Sequence, residues 1–252
     1  MEGEETDFEE MIMEKDLTFL EKGCRDLGIP LSEEQKEKFL SYYDFLTERN
    51  KVMNLTAITE FEEVVIKHFL DSISCVKAVD FSKTGSMIDV GTGAGFPGIP
   101  LKIMFPDLSL CLLDSLQKRV TFLDGAIALL KLSDIHAVHF RAEEAARNPE
   151  YREKFDLCVS RAVSNLSTLS EYCLPFVKTG GSFISFKSGK IKEELKNAGN
   201  AVHLLGGKIE KTETFFLPGT DIERTLVVIR KVRPTSGKYP RKAGTPLKEP
   251  LK

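Results

Sequence analysis

The feature that most constrains this 252-residue chain is one contiguous stretch, Met87-Ile-Asp-Val-Gly-Thr-Gly-Ala-Gly-Phe-Pro-Gly98. An apolar run ends at Val90, glycines then alternate at 91, 93 and 95, and an amphipathic segment follows. Glycines at that spacing let the backbone reverse sharply and approach a ligand closely. The fixed φ of Pro97 suits the first turn of the helix that should follow. A turn of this kind at the carboxyl end of a strand is where open α/β sheets bind ligands.

The rest of the chain agrees with such a sheet. After Gly85 short apolar runs alternate with helical stretches: Met87–Val90, Leu108–Leu113, Ile135–Phe140, Phe155–Val159 and Gly181–Phe186. The clearest intervening amphipathic segment is Leu116–Leu132. That alternation predicts βαβ units and a parallel sheet covered by helices. The last two runs, Lys208–Leu217 and Glu223–Arg230, are too close for a crossover and predict an antiparallel hairpin. The expected fold class is therefore α/β, a mainly parallel seven-stranded sheet ending in an antiparallel hairpin.

Residues 1–84 read as a helical extension packing on the core, residues 85–231 as the core, and 232–252 as a tail. In the extension Ile12, Leu17, Leu20, Cys24 and Leu27 recur at helical spacing, and Gly28-Ile29-Pro30 ends that segment. Ser32 with Gln35, and Thr59 with Glu62, have the spacing of capping boxes. Residues 50–58 have no clean period and read as a loop.

Composition excludes other classes. No apolar run approaches the ~20 residues of a transmembrane helix, and the acidic first twenty residues do not read as a secretory signal. A cytoplasmic protein is expected. Five cysteines, an odd number with no C-x-x-C pair, read as reduced buried thiols. Four scattered histidines offer no zinc spacing, so no metal is expected. The net charge of −3 is uneven, with −7 in residues 1–16 and +6 in residues 231–252. The basic, Pro- and Gly-containing tail has no periodicity and predicts an irregular segment. Arg233, Lys238, Arg241 and Lys242 in it are candidate phosphate contacts.

Two ligand classes fit the glycine turn. Gly93-x-Gly95-x-x-Gly98 matches the dinucleotide fingerprint. Asp89-x-Gly91-x-Gly93-x-Gly95 resembles the turn of S-adenosylmethionine-dependent methyltransferases. Asp114, at the end of the second strand, suits the ribose of either ligand. Glu143 after the third strand and the terminal hairpin are similar to the methyltransferase pattern.

Further segments make the resemblance specific. Asn54-Leu-Thr-Ala-Ile58, His68-Phe-Leu-Asp-Ser72, Asp114-Ser115 with Lys118-Arg119, Ser160-Arg-Ala-Val163 and Tyr239-Pro-Arg-Lys-Ala-Gly-Thr-Pro246 occur in order around the glycine turn. Over about residues 32–250 the chain resembles the bacterial small-subunit (16S) ribosomal RNA guanine-N7 methyltransferases, also called glucose-inhibited division protein B. The resemblance implies a Rossmann-like class I fold and S-adenosylmethionine as cofactor. It implies a monomer acting on 16S ribosomal RNA or the small ribosomal subunit. It places Gly91, Gly93, Gly95 and Phe96 beside the cofactor, Asp114 and Ser115 at the ribose, and Ala142 and Glu143 at the adenine. Arg161 would face the cofactor and substrate, with Asn54, His68 and Lys187 as candidates for positioning substrate. Lys118 and Arg119 would meet RNA phosphate, and the tail, which carries the Tyr239–Pro246 motif, would either clamp RNA or fold back to line the active-site mouth.

The residues can be set against that chemistry. The Asn/Asp-Pro-Pro-aromatic motif of adenine-N6 enzymes is absent after the fourth strand, where the chain reads Cys158-Val-Ser-Arg-Ala162. Cytosine-C5 chemistry needs a cysteine nucleophile in a loop, and Cys158 falls inside a strand-like run. Guanine N7 carries a lone pair and no proton, so no obligatory catalytic base is expected. Two alternatives remain at this point: an NAD-dependent oxidoreductase, and a catalytically silent RNA-binding ribosome assembly factor.

Overall fold

The computed structural model describes residues 15–161, 164–189 and 191–252. Ile12, most of the acidic terminus, and Ala162 and Val163 of the Ser160-Arg-Ala-Val163 motif lie outside the described residues.

Seven strands form one sheet: β1 (Ser86–Val90), β2 (Ser109–Asp114), β3 (Ile135–His139), β4 (Phe155–Ser160), β5 (Val177–Lys187), β6 (Gly207–Phe216) and β7 (Glu223–Lys231). Their order is 3-2-1-4-5-7-6. β1 to β5 are parallel, and β7 lies antiparallel between β5 and β6. Ten helices accompany them among the described residues: α1 (Thr18–Asp26), α2 (Glu33–Met53), α3 (Phe61–Val64), α4 (Asp71–Ile73), α5 (Gly98–Met104), α6 (Gln117–Leu129), α7 (Ala142–Ala145), α8 (Leu166–Cys173), α9 (Lys192–Leu204) and α10 (Thr245–Lys248). A π-helical segment, Val65–Leu70, joins α3 to α4.

Strand periodicity builds the two cores. Met87 of β1 and Leu110 and Leu112 of β2 point to one face, where they meet Leu20, Phe39, Tyr42, Ile99 and Phe122 from α1, α2, α5 and α6. Ile88, Val90, Cys111 and Leu113 point to the other face, against Leu169 of α8 and Val202 of α9. Both faces are buried, so these strands read as continuous apolar runs. All five cysteines are free and buried. No helix among the described residues is long and apolar enough to cross a membrane.

The expected Ser32–Gln35 capping box forms, with Ser32 Oγ accepting from Gln35 N–H and Gln35 accepting from Ser32 N–H. The second expected box does not. Glu60 is the N-cap of α3 with no side-chain bond, and the Thr59 carbonyl accepts from Tyr43 Oη instead. The loop expected over residues 50–58 begins later, because α2 continues to Met53 and ends where Asn54 adopts φ 50°. Asparagine tolerates that left-handed conformation better than other non-glycine residues.

Of the two expectations for the tail, the structure describes a segment folded back on the protein. Residues 232–252 run back across α7 and α8 with many fixed contacts. Lys231 is 1% exposed and its Nζ meets the Leu174 and Val177 carbonyls, Thr235 and Glu153. Arg152 donates to the carbonyls of Thr235 and Tyr239, and Arg147 to that of Pro240. The sequence gives no periodicity here because extended chain held through its carbonyls by distant arginines needs none.

Candidate cofactor and substrate site

The glycine turn crosses the carboxyl end of β1. Gly91, Gly93 and Gly95 have φ of 72°, 62° and 93°, a region glycine enters without steric cost. A Cβ on Gly95 would approach Ile99 at 2.6 Å and Tyr42 Oη at 2.7 Å, so this position cannot hold a side chain without displacement. Asp89 fixes the turn from below: its Oδ2 accepts from Thr92 Oγ1 at 2.6 Å and from the Gly98 amide at 2.9 Å. Its Oδ1 is buried without a partner, and burial raises the carboxyl pKa to about 7.

Asp114 joins the two loops. Oδ2 accepts from the Gly93 amide at 2.9 Å and lies 3.3 Å from Arg119 Nη1, and Oδ1 accepts from the Leu116 amide at 2.9 Å. Its carboxylate therefore shapes the walls of the site from behind them. Ser160 Oγ, at the end of β4, donates to the Val90 carbonyl at 2.8 Å.

Above these strand ends lies a cavity of about 310 Å³ whose walls include Gly91, Ser115, Ala142, Glu143 and Ser164. Its size is at the small end of ligand clefts. Three larger cavities, of about 480, 620 and 590 Å³, lie elsewhere, around Asp80 and Ser82, away from these loops. The 310 Å³ cavity fits an adenosine-bearing cationic cofactor. Its sides are largely apolar, and Ser164 Oγ is buried on its wall without a partner. Asp89 Oδ1 adds a second unsatisfied acceptor beneath the turn.

A second cluster is assembled from three distant segments. Arg161, just past β4, donates through Nη1 to Asp71 Oδ2 and the Lys67 carbonyl, both at 3.0 Å. Its Nη2 lies 3.1 Å from His68 Nδ1. Arg224 Nε reaches the other oxygen of Asp71 at 2.9 Å. The Phe96 ring stacks on His68 at 4.5 Å, and the Arg161 guanidinium sits 5.2 Å from the same ring. Burial, then the Arg161 charge, lowers the His68 pKa to about 4. The imidazole is therefore neutral. Nδ1 also lies 3.1 Å from the Lys67 carbonyl, but that oxygen already accepts from Arg161 Nη1, and the guanidinium can only donate. Nδ1 therefore accepts from Arg161, and Nε2–H donates to Thr56 Oγ1 at 2.9 Å.

The structure thus brings His68, Phe96 and Arg161 together, and Gly91, Ser115, Ala142 and Glu143 around one cavity. It gives other expected residues different surroundings. Asn54 ends α2 through its backbone. Lys187 Nζ holds the Ser164 carbonyl at 2.6 Å and Glu194 at 2.7 Å. Lys118 bonds the Met53 carbonyl. Arg233 donates to the His203 carbonyl. Arg241 is engaged rather than offered to phosphate: its Nη2 lies 2.7 Å from Glu171 Oε2, its Nε about equally near both oxygens, and Glu171 is fully buried. Lys238 and Lys242 are both exposed. Asp71 and Arg224 were not among the expected residues. Asp71 stands inside the His68–Ser72 motif, but its partner Arg224 is 153 residues away.

Among the described residues no three His, Cys, Asp or Glu side chains are grouped to hold a metal ion.

Residues 35–224 match the family described as rRNA small subunit methyltransferase G. The Lachnoclostridium phytofermentans protein named ribosomal RNA small subunit methyltransferase G is 55% identical over 239 residues, 95% of this chain and 98% of its own length. The Alkaliphilus metalliredigens protein of the same name is 53% identical, covering 92% of this chain and 98% of its own. Among solved structures, a chain of the "Complex between the Haloferax volcanii Trm112 methyltransferase activator and the putative methyltransferase" superposes with TM-score 0.53. It is 11% identical and covers 76% of this chain and 98% of its own, a likeness of fold.

Proposed function

This chain belongs to the rRNA small subunit methyltransferase G family, and on that footing we propose that it transfers a methyl group from S-adenosylmethionine to N7 of one guanine in 16S ribosomal RNA. The observation that carries this reading is the junction of the glycine turn and β2, where Asp114 ties Gly93 to Leu116 beside the 310 Å³ cavity, in a chain of this family. The family is one of S-adenosylmethionine-dependent enzymes, and the two alternatives, an NAD-dependent oxidoreductase and a silent assembly factor, find no support in it. Restriction to the cytoplasm, action as a monomer and contact with the small ribosomal subunit are parts of the same proposal.

When bound, S-adenosylmethionine supplies an electrophilic methyl group on sulfur. The residues present then have three tasks. Gly91 and Ser115 border the cofactor on the strand-end side, and Asp89 Oδ1 offers an acceptor beneath it. The Asp71 carboxylate fixes the planes of Arg161 and Arg224, so their remaining N–H groups can meet a phosphate or the acceptor edge of guanine. His68 supports Arg161 rather than taking a proton, because its Nδ1 lone pair already accepts from that guanidinium. Guanine N7 has no proton to lose, so alignment of N7 with the methyl carbon and sulfur suffices.

Incubating the purified protein with S-adenosylmethionine and small ribosomal subunits from cells lacking it, then mapping modified guanines by mass spectrometry, tests the proposal. One new 7-methylguanosine in 16S RNA is expected. Methylation at another atom or base would overturn it.

A further inference from the structure

We propose that residues 241–247 of the C-terminal segment form a wall of the cofactor pocket and close over the adenine end of S-adenosylmethionine, with Glu143 as the latch. The inference rests on the cofactor reading above and extends it to a part of the chain outside the matched residues 35–224.

Gly244 and Leu247 line the same 310 Å³ cavity as Gly91, Ala142 and Glu143. The segment is held there by polar contacts to two helices. The Gly244 amide donates to Glu143 Oε1 at 2.8 Å, and Thr168 Oγ1 donates to the Pro246 carbonyl at 3.0 Å. The Arg241 guanidinium forks onto the fully buried Glu171. Gly244 has φ 81°, so the chain reverses over the cavity at a residue suited to that conformation.

The side chains show what this wall faces. Leu247 is 62% exposed and Phe140 39% exposed, and both border the cavity. Large apolar side chains left in solvent on the two rims of one cleft suit a flat, mostly apolar ring between them. Ser164 Oγ, buried and unpartnered on the same wall, supplies a polar group to such a ring. The amide-rich glycine turn at the other end suits the charged amino-acid end of the cofactor. Glu143, whose resemblance-based role is a contact to adenine, has one carboxylate oxygen bonded to the tail. It therefore acts first on the segment that covers the ring.

Binding and tail docking are then linked. A ligand that touches the docked segment must stabilise docking by the factor through which docking strengthens binding.

The test is calorimetry with S-adenosylhomocysteine and with adenosine, on the full-length wild type, Leu247→Ala and Leu247→Asp. The exposure of Leu247 keeps the fold out of question, and thermal unfolding of each variant verifies it. Leu247→Ala should weaken both ligands about three- to ten-fold, the scale of losing part of one apolar contact, and Leu247→Asp should weaken them further. S-adenosylhomocysteine should also slow proteolytic cleavage within residues 236–252 of the wild type. Wild-type affinity in both variants overturns the wall. So does an outcome in which the variants lose binding to small ribosomal subunits but keep their ligand affinity, which makes the segment an RNA contact. A folded wild type that binds neither ligand overturns the cofactor reading itself, and the wall falls with it.

Discussion

The glycine turn and the tail segment opposite it border one cavity, yet they are held in place from very different distances along the chain. Thr92 reaches Asp89 three residues away and the Gly98 amide reaches it from nine. Arg241, Pro246 and Gly244 find Glu171, Thr168 and Glu143 across 70, 78 and 101 residues. The turn is fixed by backbone conformation and a buried carboxylate close in sequence. The tail is fixed by charge and hydrogen bonding to helices that must already be folded. A cavity with both kinds of wall can lose one while keeping the other, and substitutions can separate them.

The largest effect is expected at the tail. Arg241→Ala leaves the Glu171 carboxylate buried without its cation, and breaking such a pair costs about 3–5 kcal/mol. Glu171→Gln keeps an acceptor, leaves no buried charge and should cost clearly less. Urea unfolding followed by a probe on the tail and one on the sheet reads both. Equal losses for the two variants would show that the fork is a surface contact and break the contrast drawn here.

On the opposite wall Gly95→Ala should cost about 3 kcal/mol, from a strained positive φ together with overpacking against Ile99 and Tyr42. The loss should appear in the global unfolding transition, because this turn sits over the main core. A loss confined to the tail probe would assign the two walls to one cooperative unit.

The same contrast explains what could be read from the chain. The Ser32–Gln35 box was legible because both partners lie within three residues. So were the glycine turn, the strand run that leads into it and the terminal antiparallel hairpin, where pattern and conformation agree locally. The Thr59–Glu62 box has the same spacing, but the helix starts at Phe61 and the Thr59 carbonyl is claimed by Tyr43 from α2. The tail's net charge suggested an RNA-following segment. Yet Lys231 is buried among carbonyls and Arg241 is paired, and neither partner set can be seen in residues 232–252 alone. Asp71 and Arg224 were missed for the same reason.

A third, smaller effect concerns that pair. Asp71→Asn keeps the shape but replaces charge-assisted hydrogen bonds to two guanidiniums, worth about 2 kcal/mol between them in excess of neutral ones. If the cluster orients substrate, single-turnover methylation should fall by about thirty-fold while S-adenosylhomocysteine affinity stays unchanged. A loss of cofactor affinity with an unchanged transfer rate would move Asp71 to the cofactor side.

The smallest effect is a slope. His68 titrates near 4 in the folded chain, below its ordinary 6.5, so its contribution to stability is present above pH 6.5 and lost as pH falls toward 4. Asp89 titrates near 7, above its ordinary 3.8, so its contribution is present below pH 3.8 and lost as pH rises through 7. Between pH 4 and 6.5 the two slopes oppose, each at most about 1.4 kcal/mol per pH unit, and the stability of the wild type should be nearly flat on their account. Each substitution uncovers the other group. His68→Gln should become less stable as pH rises across that window, and Asp89→Asn more stable. These slopes are measured from urea midpoints at half-unit pH steps on the ligand-free protein. If both variants remain parallel to the wild type, neither group is buried as the structure has it. The neutral imidazole that leaves Arg161 as the substrate-facing cation would then have to be given up.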